Sequence, residues 1–399
     1  MKTVRFWVAL LMLLVVVVFS IWNMLETEPV NGFHKPWEQA VPLQSVPEGL
    51  QSLSAAECGS CHREHYREWQ KSTHALAWVD PQFQAEIAKD NSPYMCINCH
   101  APLQNQQPFV VTGLLEGDIY RPIKHANPDY DSLLRQEGIT CAACHVRDGQ
   151  VVARQVSGRA PHASRADARH LSEQLCISCH NASAVVTPDL VCSFETGDEW
   201  RAGPYFGQKT CLDCHMPAVK RPAAAGSDTT VSRLHYFMGS GIPKHDTLTT
   251  ERLDGLVYDL SGIKAEYGVA DSIVLAVTVA NKVAGHRVPT GDPERFILTV
   301  VTIEDAAGRV VQADTFRIGE KWVWYPEAHK VADNNLNPGE SRTYQVSARL
   351  SPGHFTVRIR GYKFRTTEEM VRYNKLGDDY PTHILFYERT RPLRVVAPA

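Results

Sequence analysis

One five-residue pattern, Cys-x-x-Cys-His, occurs five times in this sequence. The copies begin at residues 58, 96, 141, 176 and 211 and use ten of the eleven cysteines. In this pattern the two thiols form thioether bonds to a porphyrin, and the histidine binds the iron as its proximal ligand. A lone Cys-x-x-Cys is also compatible with a zinc knuckle or a dithiol redox pair, but five copies that each end in histidine exclude both. The sequence therefore predicts five covalently bound haem c groups.

The predicted attachment residues and proximal iron ligands are Cys58, Cys61, His62, Cys96, Cys99, His100, Cys141, Cys144, His145, Cys176, Cys179, His180, Cys211, Cys214 and His215. Cys192 is the one cysteine outside this set, so the sequence offers no disulfide framework. We expect Cys192 to be a buried, unreactive thiol.

The haem motifs are confined to the first part of the chain, and the sequence pattern changes near residue 251. With so few residues per haem, the porphyrins must supply much of the core there, and we expect short helices between loops. Farther on, alternating apolar residues predict strands. These segments are 272–280, 295–303, 310–319, 341–350, 355–360 and 383–389. Several short strands separated by turn signals are typical of an immunoglobulin-like sandwich.

The N-terminus carries an apolar run from Phe6 to Leu25, preceded by Lys2 and Arg5. The run is close to the ~20 residues that a membrane-spanning helix needs. A cleaved signal peptide is the alternative, but no small-x-small cleavage site follows the run. Positive charges before the span place the rest of the chain outside the cytoplasm. We therefore expect a single-pass protein of the inner membrane with most of its chain in the periplasm.

Together these observations predict an α+β multidomain fold. Residues 1–26 form a transmembrane anchor or signal peptide, and residues 27–50 form a tether. Residues 51–250 form a mainly helical and loop pentahaem domain, and residues 251–399 form an all-β sandwich. The formal net charge of −3 shows no basic excess, which argues against nucleic acid as a partner. We expect the membrane, redox proteins or a quinol-linked membrane complex as partners.

The segments around the motifs carry a resemblance to a known family. Trp69-Gln-Lys-Ser-Thr-His74 follows the first motif, Gly138-Ile-Thr precedes the third, and Met216-Pro217 follows the fifth. As a set, with His235-Tyr-Phe-Met-Gly239, they resemble multihaem cytochromes of the cytochrome c-554 type, relatives of hydroxylamine oxidoreductase and pentahaem nitrite reductase. The resemblance covers most of residues 54–241.

The resemblance implies several distal iron ligands. It assigns His74 to the haem of His145, and it makes His235 a ligand with His245 as its competitor. Ala160-Pro161-His162 resembles an element that supplies another distal ligand, and His170 is its rival.

Two further distal ligands are predicted. His125 lies in a loop bounded by two prolines, from which it could reach a neighbouring iron. Gly285-His286-Arg-Val-Pro-Thr-Gly291 resembles a loop of β domains appended to multihaem cytochromes, and we expect His286 to ligate a haem of the first domain. His65, three residues after His62, is expected to face a propionate or solvent.

These predictions favour an electron-transfer protein rather than an enzyme. Iron with two histidine ligands has no open coordination position, which suits electron transfer and hinders substrate binding. The alternative is a reductase or oxidase of a small nitrogen or sulfur compound, in which one haem lacks a distal ligand. The sequence has no Cys-x-x-Cys-Lys site typical of one such enzyme class. A conducting filament is a third possibility.

Overall fold

The computed structural model describes residues 7, 10–18, 29–89, 94–188, 190–244, 250–269 and 272–397. Two parts differ in architecture: a first part of short helices and hairpins that contains the five motifs, and a second part built from two packed sheets.

The first part contains short elements joined by loops. Its helices are α1 (Ala55–Gly59), α2 (Arg63–Gln70), α3 (Pro81–Ile87), α4 (Tyr94–His100), α5 (Ser132–Gln136), α6 (Cys141–His145), α7 (Glu173–His180), α8 (Thr196–Ala202) and α9 (Cys211–His215), with 3-10 turns at Pro36–Glu38 and Gln104–Gln106. Its strands are β1 (Val30–Asn31), β2 (Phe109–Leu115), β3 (Pro122–Ala126), β4 (Val146–Arg147), β5 (Gln150–Ala153), β6 (Ser164–Ala166), β7 (Ser183–Thr187), β8 (Leu190–Ser193), β9 (Ala218–Pro222) and β10 (Thr229–Arg233).

Four of the five motifs end a helix at their histidine. Helices α4, α6, α7 and α9 each stop there, after one to two turns. Local caps start two of them. The Ser172 hydroxyl accepts a hydrogen bond from the backbone of Gln174 at the start of α7, and Asp213 accepts one from the Thr210 backbone at 2.8 Å. Helices this short are unstable alone, so tertiary contacts must hold the motifs in place.

The second part is a sandwich. Its elements are β11 (Val257–Asp259), β12 (Glu266–Gly268), β13 (Ile273–Ala280), β14 (Phe296–Asp305), β15 (Val310–Val323), β16 (His329–Asp333), β17 (Ser341–Ala348), β18 (Gly353–Phe364), α10 (Glu368–Asn374) and β19 (His383–Val396). One sheet has the order β11-β13-β17 and the other β12-β19-β18-β14-β15-β16. All pairs are antiparallel except β12 with β19. This order matches an immunoglobulin-like sandwich.

The sandwich core comes from the inward-facing residues of both sheets. Leu275 and Val277 of β13 meet Ile303, Val357 and Ile359 of the facing sheet, and all five are fully buried. The alternation of buried and exposed residues along β13 follows from the two-residue period of a strand. The sequence pattern that predicted these strands therefore also predicted which face is apolar.

A buried polar cluster joins the two parts. Asp80, just before α3, accepts hydrogen bonds from Lys244, from Arg365 at 2.7 Å and from the Tyr380 hydroxyl at 2.9 Å. Burial would raise the pKa of Asp80, but the two cations hold that pKa below its usual value. Because one partner comes from the first part and two from the second, the contact fixes the sandwich against the motif region.

The expected membrane anchor requires a correction. Residues 7 and 10–18 of the apolar run are helical. Within the described part of the chain, no helix is both long and apolar enough to cross a membrane. The predictions of a transmembrane helix and of a single-pass inner-membrane location are therefore wrong on this evidence. Residues 6, 8, 9 and 19–25 of that prediction lie outside the described residues.

Candidate metal centres

Four of the five motif histidines face a second histidine. The paired rings and the distances between their centres are His62 and His162, 6.4 Å; His180 and His74, 6.3 Å; His145 and His235, 6.2 Å; and His215 and His286, 6.2 Å. When two imidazoles bind one metal ion, each through a nitrogen about 2 Å from it, their ring centres lie about 6 Å apart. The four pairs thus have the spacing of axial ligands on opposite sides of one iron.

Backbone carbonyls set the tautomer of the motif histidines. Nδ1 of His62 lies 2.7 Å from the Ala223 carbonyl oxygen, Nδ1 of His145 lies 2.9 Å from that of Val152, and Nδ1 of His215 contacts that of Met238. A carbonyl oxygen can only accept a hydrogen bond, so Nδ1 must carry the proton. The lone pair is then on Nε2, where a metal would bind.

Burial keeps these rings uncharged. It lowers the pKa of His74 and of His235 to about 3, and that of His180 and of His100 to about 4, with neighbouring histidines adding to the effect in all four. A neutral imidazole is the form that binds iron. The donor set therefore fits haem c, which needs two thiols and a neutral proximal imidazole per group.

The structure places three of the predicted distal ligands beside particular motif histidines. His74 lies beside His180, whereas the resemblance had assigned it to the haem of His145, and His235 lies beside His145 instead. His162 faces a motif histidine, while Nε2 of its rival His170 lies 3.0 Å from the Cys144 carbonyl oxygen. These juxtapositions give His74, His162, His235 and His286 a partner among the motif histidines, and the ligation itself remains a prediction.

The fifth motif histidine, His100, differs from the others. Its Nδ1 lies 2.7 Å from the Ala77 carbonyl oxygen, and the Phe83 ring stacks on its ring at 3.6 Å. Among the described residues, no second histidine ring lies beside it. His125, a predicted ligand, is exposed on β3 and is not brought to any motif histidine. His245 lies outside the described residues.

His235, a predicted distal ligand, is held by a residue that sequence reasoning missed. Glu68 is 4% exposed and accepts a hydrogen bond from the His235 backbone at 2.8 Å. The same carboxylate pairs with Arg221, whose second nitrogen lies 2.8 Å from it. The apolar side of α2 faces the motifs, but a glutamate on a short helix gave no sign of this contact.

The loop of His286 is held by a second missed residue, Glu199 of α8. Its carboxylate accepts hydrogen bonds from the Thr290 hydroxyl at 2.7 Å and from the Arg287 backbone at 3.2 Å. Gly203, just after α8, lies so close to the loop that a Cβ there would collide with the backbone of Gly285. Helix α8 therefore supports the loop on both sides of His286.

Neighbouring motifs are packed against each other. The thiols of Cys58 and Cys141, of Cys99 and Cys179, and of Cys176 and Cys211 lie close enough for each pair to shift the pKa of one of its members. In addition, the Phe237 ring lies 4.3 Å from that of His74 and 5.7 Å from that of His235. Residues of all five motifs line one connected cavity of about 2080 Å³. The site is thus a single continuous cluster.

Comparisons with known proteins give a family match and a similar fold. Residues 57–116 match the family model described as cytochrome c554 and c-prime. The penta-heme cytochrome c552 from Thermochromatium tepidum has a similar fold, with a TM-score of 0.60 at 20% identity, over 87% of this chain and all of that one. The C-terminal domain of wzt matches with a TM-score of only 0.20, at 9% identity over 36% of this chain and 72% of that one, and carries no argument. Among curated proteins, none matches the sequence.

Proposed function

We propose that the chain is a multihaem c-type cytochrome that carries five covalently bound haem groups and transfers electrons between partner redox proteins, as the family match and the similar fold support. Haem iron supplies the redox chemistry by cycling between its ferric and ferrous states. Five motifs of identical chemistry support the count, and the penta-heme cytochrome of similar fold agrees with it.

The observation that carries this proposal is the set of four histidine pairs, with ring centres 6.2 to 6.4 Å apart. With both histidines of a pair bound to it, an iron would have no position left open to substrate. Two rigid, buried ligands also limit the movement that accompanies a change of charge. This arrangement favours electron transfer at those four sites.

The contacts between motifs support a continuous route. Cys58 lies close to Cys141, the Phe237 ring lies between the rings of His235 and His74, and Cys176 lies close to Cys211. The groups attached at the first, third, fourth and fifth motifs are therefore held in a row. The second motif joins this row as a branch, through the contact of Cys99 with Cys179.

A second candidate function rests on His100. Because no described histidine faces it, we propose that its haem has an open axial position and can react with a small molecule. A position at the side of the row suits a reactive site. Electrons could reach this site from the row, while electron transfer along the row would not have to pass through the site.

Electron paramagnetic resonance of the oxidised protein tests both proposals, with carbon monoxide binding to the reduced protein as a second readout. We expect four low-spin haems and one high-spin haem that binds carbon monoxide. High-spin iron at two or more haems would contradict the four pairs.

If all five haems are low-spin, the proposal of a reactive haem at His100 is refuted and the electron-transfer function remains. In that case His245→Ala should create a high-spin haem if His245 is the missing ligand. His125→Ala is the matched control, because His125 is exposed on β3 and its removal should leave the spectrum unchanged.

A further inference from the structure

Arg295 is a cation that the proposed ligation does not use. It immediately precedes β14, and it is an exposed residue that lines the central cavity. Within the described residues, its guanidinium makes no ion pair and donates no hydrogen bond. A guanidinium has five N–H donors in a planar fork, and once a bound group fills the cavity and excludes water, leaving this guanidinium without an anion would be costly. An anion bound in the cavity would supply the partner that the Arg295 guanidinium lacks.

Among the residues that the structure describes, no carboxylate fills that need. Asp80 is already committed, since one of its oxygens binds Lys244 and Arg365 while the other accepts the Tyr380 hydroxyl. Asp292 is near enough to raise the pKa of Arg295, although burial lowers that pKa overall. Its carboxylate nevertheless lies beyond ion-pair distance and accepts a hydrogen bond from the Glu294 backbone at 2.9 Å.

The cavity beside Arg295 is cationic. Lys244 and Arg365 line the same cavity, so three cations approach one buried carboxylate, Asp80. Arg295 is also close enough to His180 to lower the pKa of that ring. An anion bound by Arg295 would therefore lie near the fourth motif and would be stabilised by the local excess of positive charge.

We propose that Arg295 of the sandwich binds a propionate carboxylate of the haem attached at Cys176 and Cys179. Haem c carries two such carboxylates, and a planar guanidinium matches a carboxylate in bidentate geometry. The inference rests on the proposed binding of this haem by His180. It gives the sandwich a second role, because it would set the charge around a haem as well as supply the ligand His286.

The test is a spectroelectrochemical titration of the holoprotein and of Arg295→Met, with Arg295→Lys as the charge-conserving control. Loss of a positive charge near an iron favours its oxidised state. We therefore expect the midpoint potential of one haem to fall in R295M, the other four to stay in place, and R295K to lie close to wild type. If R295M does not accumulate as holoprotein, Arg295→Gln carries the same prediction.

Two results would overturn the inference. The first is an unchanged set of midpoint potentials in R295M and R295Q. The second is a difference between wild type and variant that appears only when phosphate or acetate is added, since this would assign Arg295 to a free anion. Haem content and the low-spin spectrum of the wild type are measured separately, so a failure of His180 ligation is distinguishable from a failure at Arg295.

Discussion

The contact between Glu68 and Arg221 makes a prediction about both stability and ligand placement. The Glu68 side chain is 6% exposed and that of Arg221 is 13% exposed, and Arg221 also donates to the Arg233 carbonyl oxygen at 3.1 Å. Glu68→Ala would leave a buried guanidinium without its counter-ion. Breaking a buried pair by removing one partner costs about 3–5 kcal/mol. The His235 backbone N–H would also lose its acceptor, which adds about 1 kcal/mol or more.

The matched control lies on the same helix. Glu64 pairs with Arg67 at 2.6 Å, but these side chains are 55% and 66% exposed. An exposed pair contributes about 0–1 kcal/mol, so Glu64→Ala should unfold at nearly the same urea concentration as wild type. Both variants remove a glutamate from α2. A difference between their free energies of unfolding therefore reflects the burial of Glu68.

The assay is urea unfolding followed by circular dichroism, together with the low-spin haem spectrum in native buffer. We expect the free energy of unfolding to fall by about 3–5 kcal/mol in Glu68→Ala, and part of the His145 haem to become high-spin as His235 loosens. Equal losses in the two variants, or a loss below about 1 kcal/mol in Glu68→Ala, would refute the reasoning.

Three further predictions concern the haems and the contact between the two parts. His286→Ala should convert one low-spin haem to a high-spin haem that binds carbon monoxide when reduced, because the fifth motif would lose its distal histidine; an unchanged spectrum would show that His286 is not a ligand. A pyridine haemochrome assay should give five haems per chain that survive acid-acetone extraction, and a lower count would mean that a motif is unused. Burial, with Asp292 nearby, raises the pKa of Glu294 to about 8, against about 4.3 in an unfolded chain. The folded state therefore holds this proton more tightly, so the stability it contributes is present at low pH and is lost as pH rises toward 8. Glu294→Gln should remove that pH dependence from urea unfolding, and an identical pH profile would contradict the assignment.

Features encoded within a few residues were predictable from the sequence. The motif positions follow from the chemistry of haem attachment, which needs only five consecutive residues. The predicted strands 272–280 and 341–350 correspond to Ile273–Ala280 and Ser341–Ala348, because burial of one sheet face leaves a two-residue alternation.

Features that depend on distant contacts were not predictable. Which haem His74 approaches depends on how α7 packs against residues far from it in sequence, and no local pattern encodes that choice. The hairpins of the motif region, such as β7–β8, were expected to be loops because their strands are short. The roles of Glu68 and Glu199 depend on contacts with residues 153 and 88 positions away, respectively.

The contacts between thiols of different motifs constrain how the protein is assembled. If the chain folded before its thiols reacted, Cys58 would meet Cys141 and Cys176 would meet Cys211. Under oxidising conditions, thiols in such contact can form a disulfide by exchange, which would consume the attachment points of two haems at once. Haem attachment must therefore precede compaction of this region, or a reductant must keep the thiols free until the cofactors are bound. Each haem that is attached uses two thiols. Fewer thiols then remain that could form an unwanted disulfide as maturation proceeds.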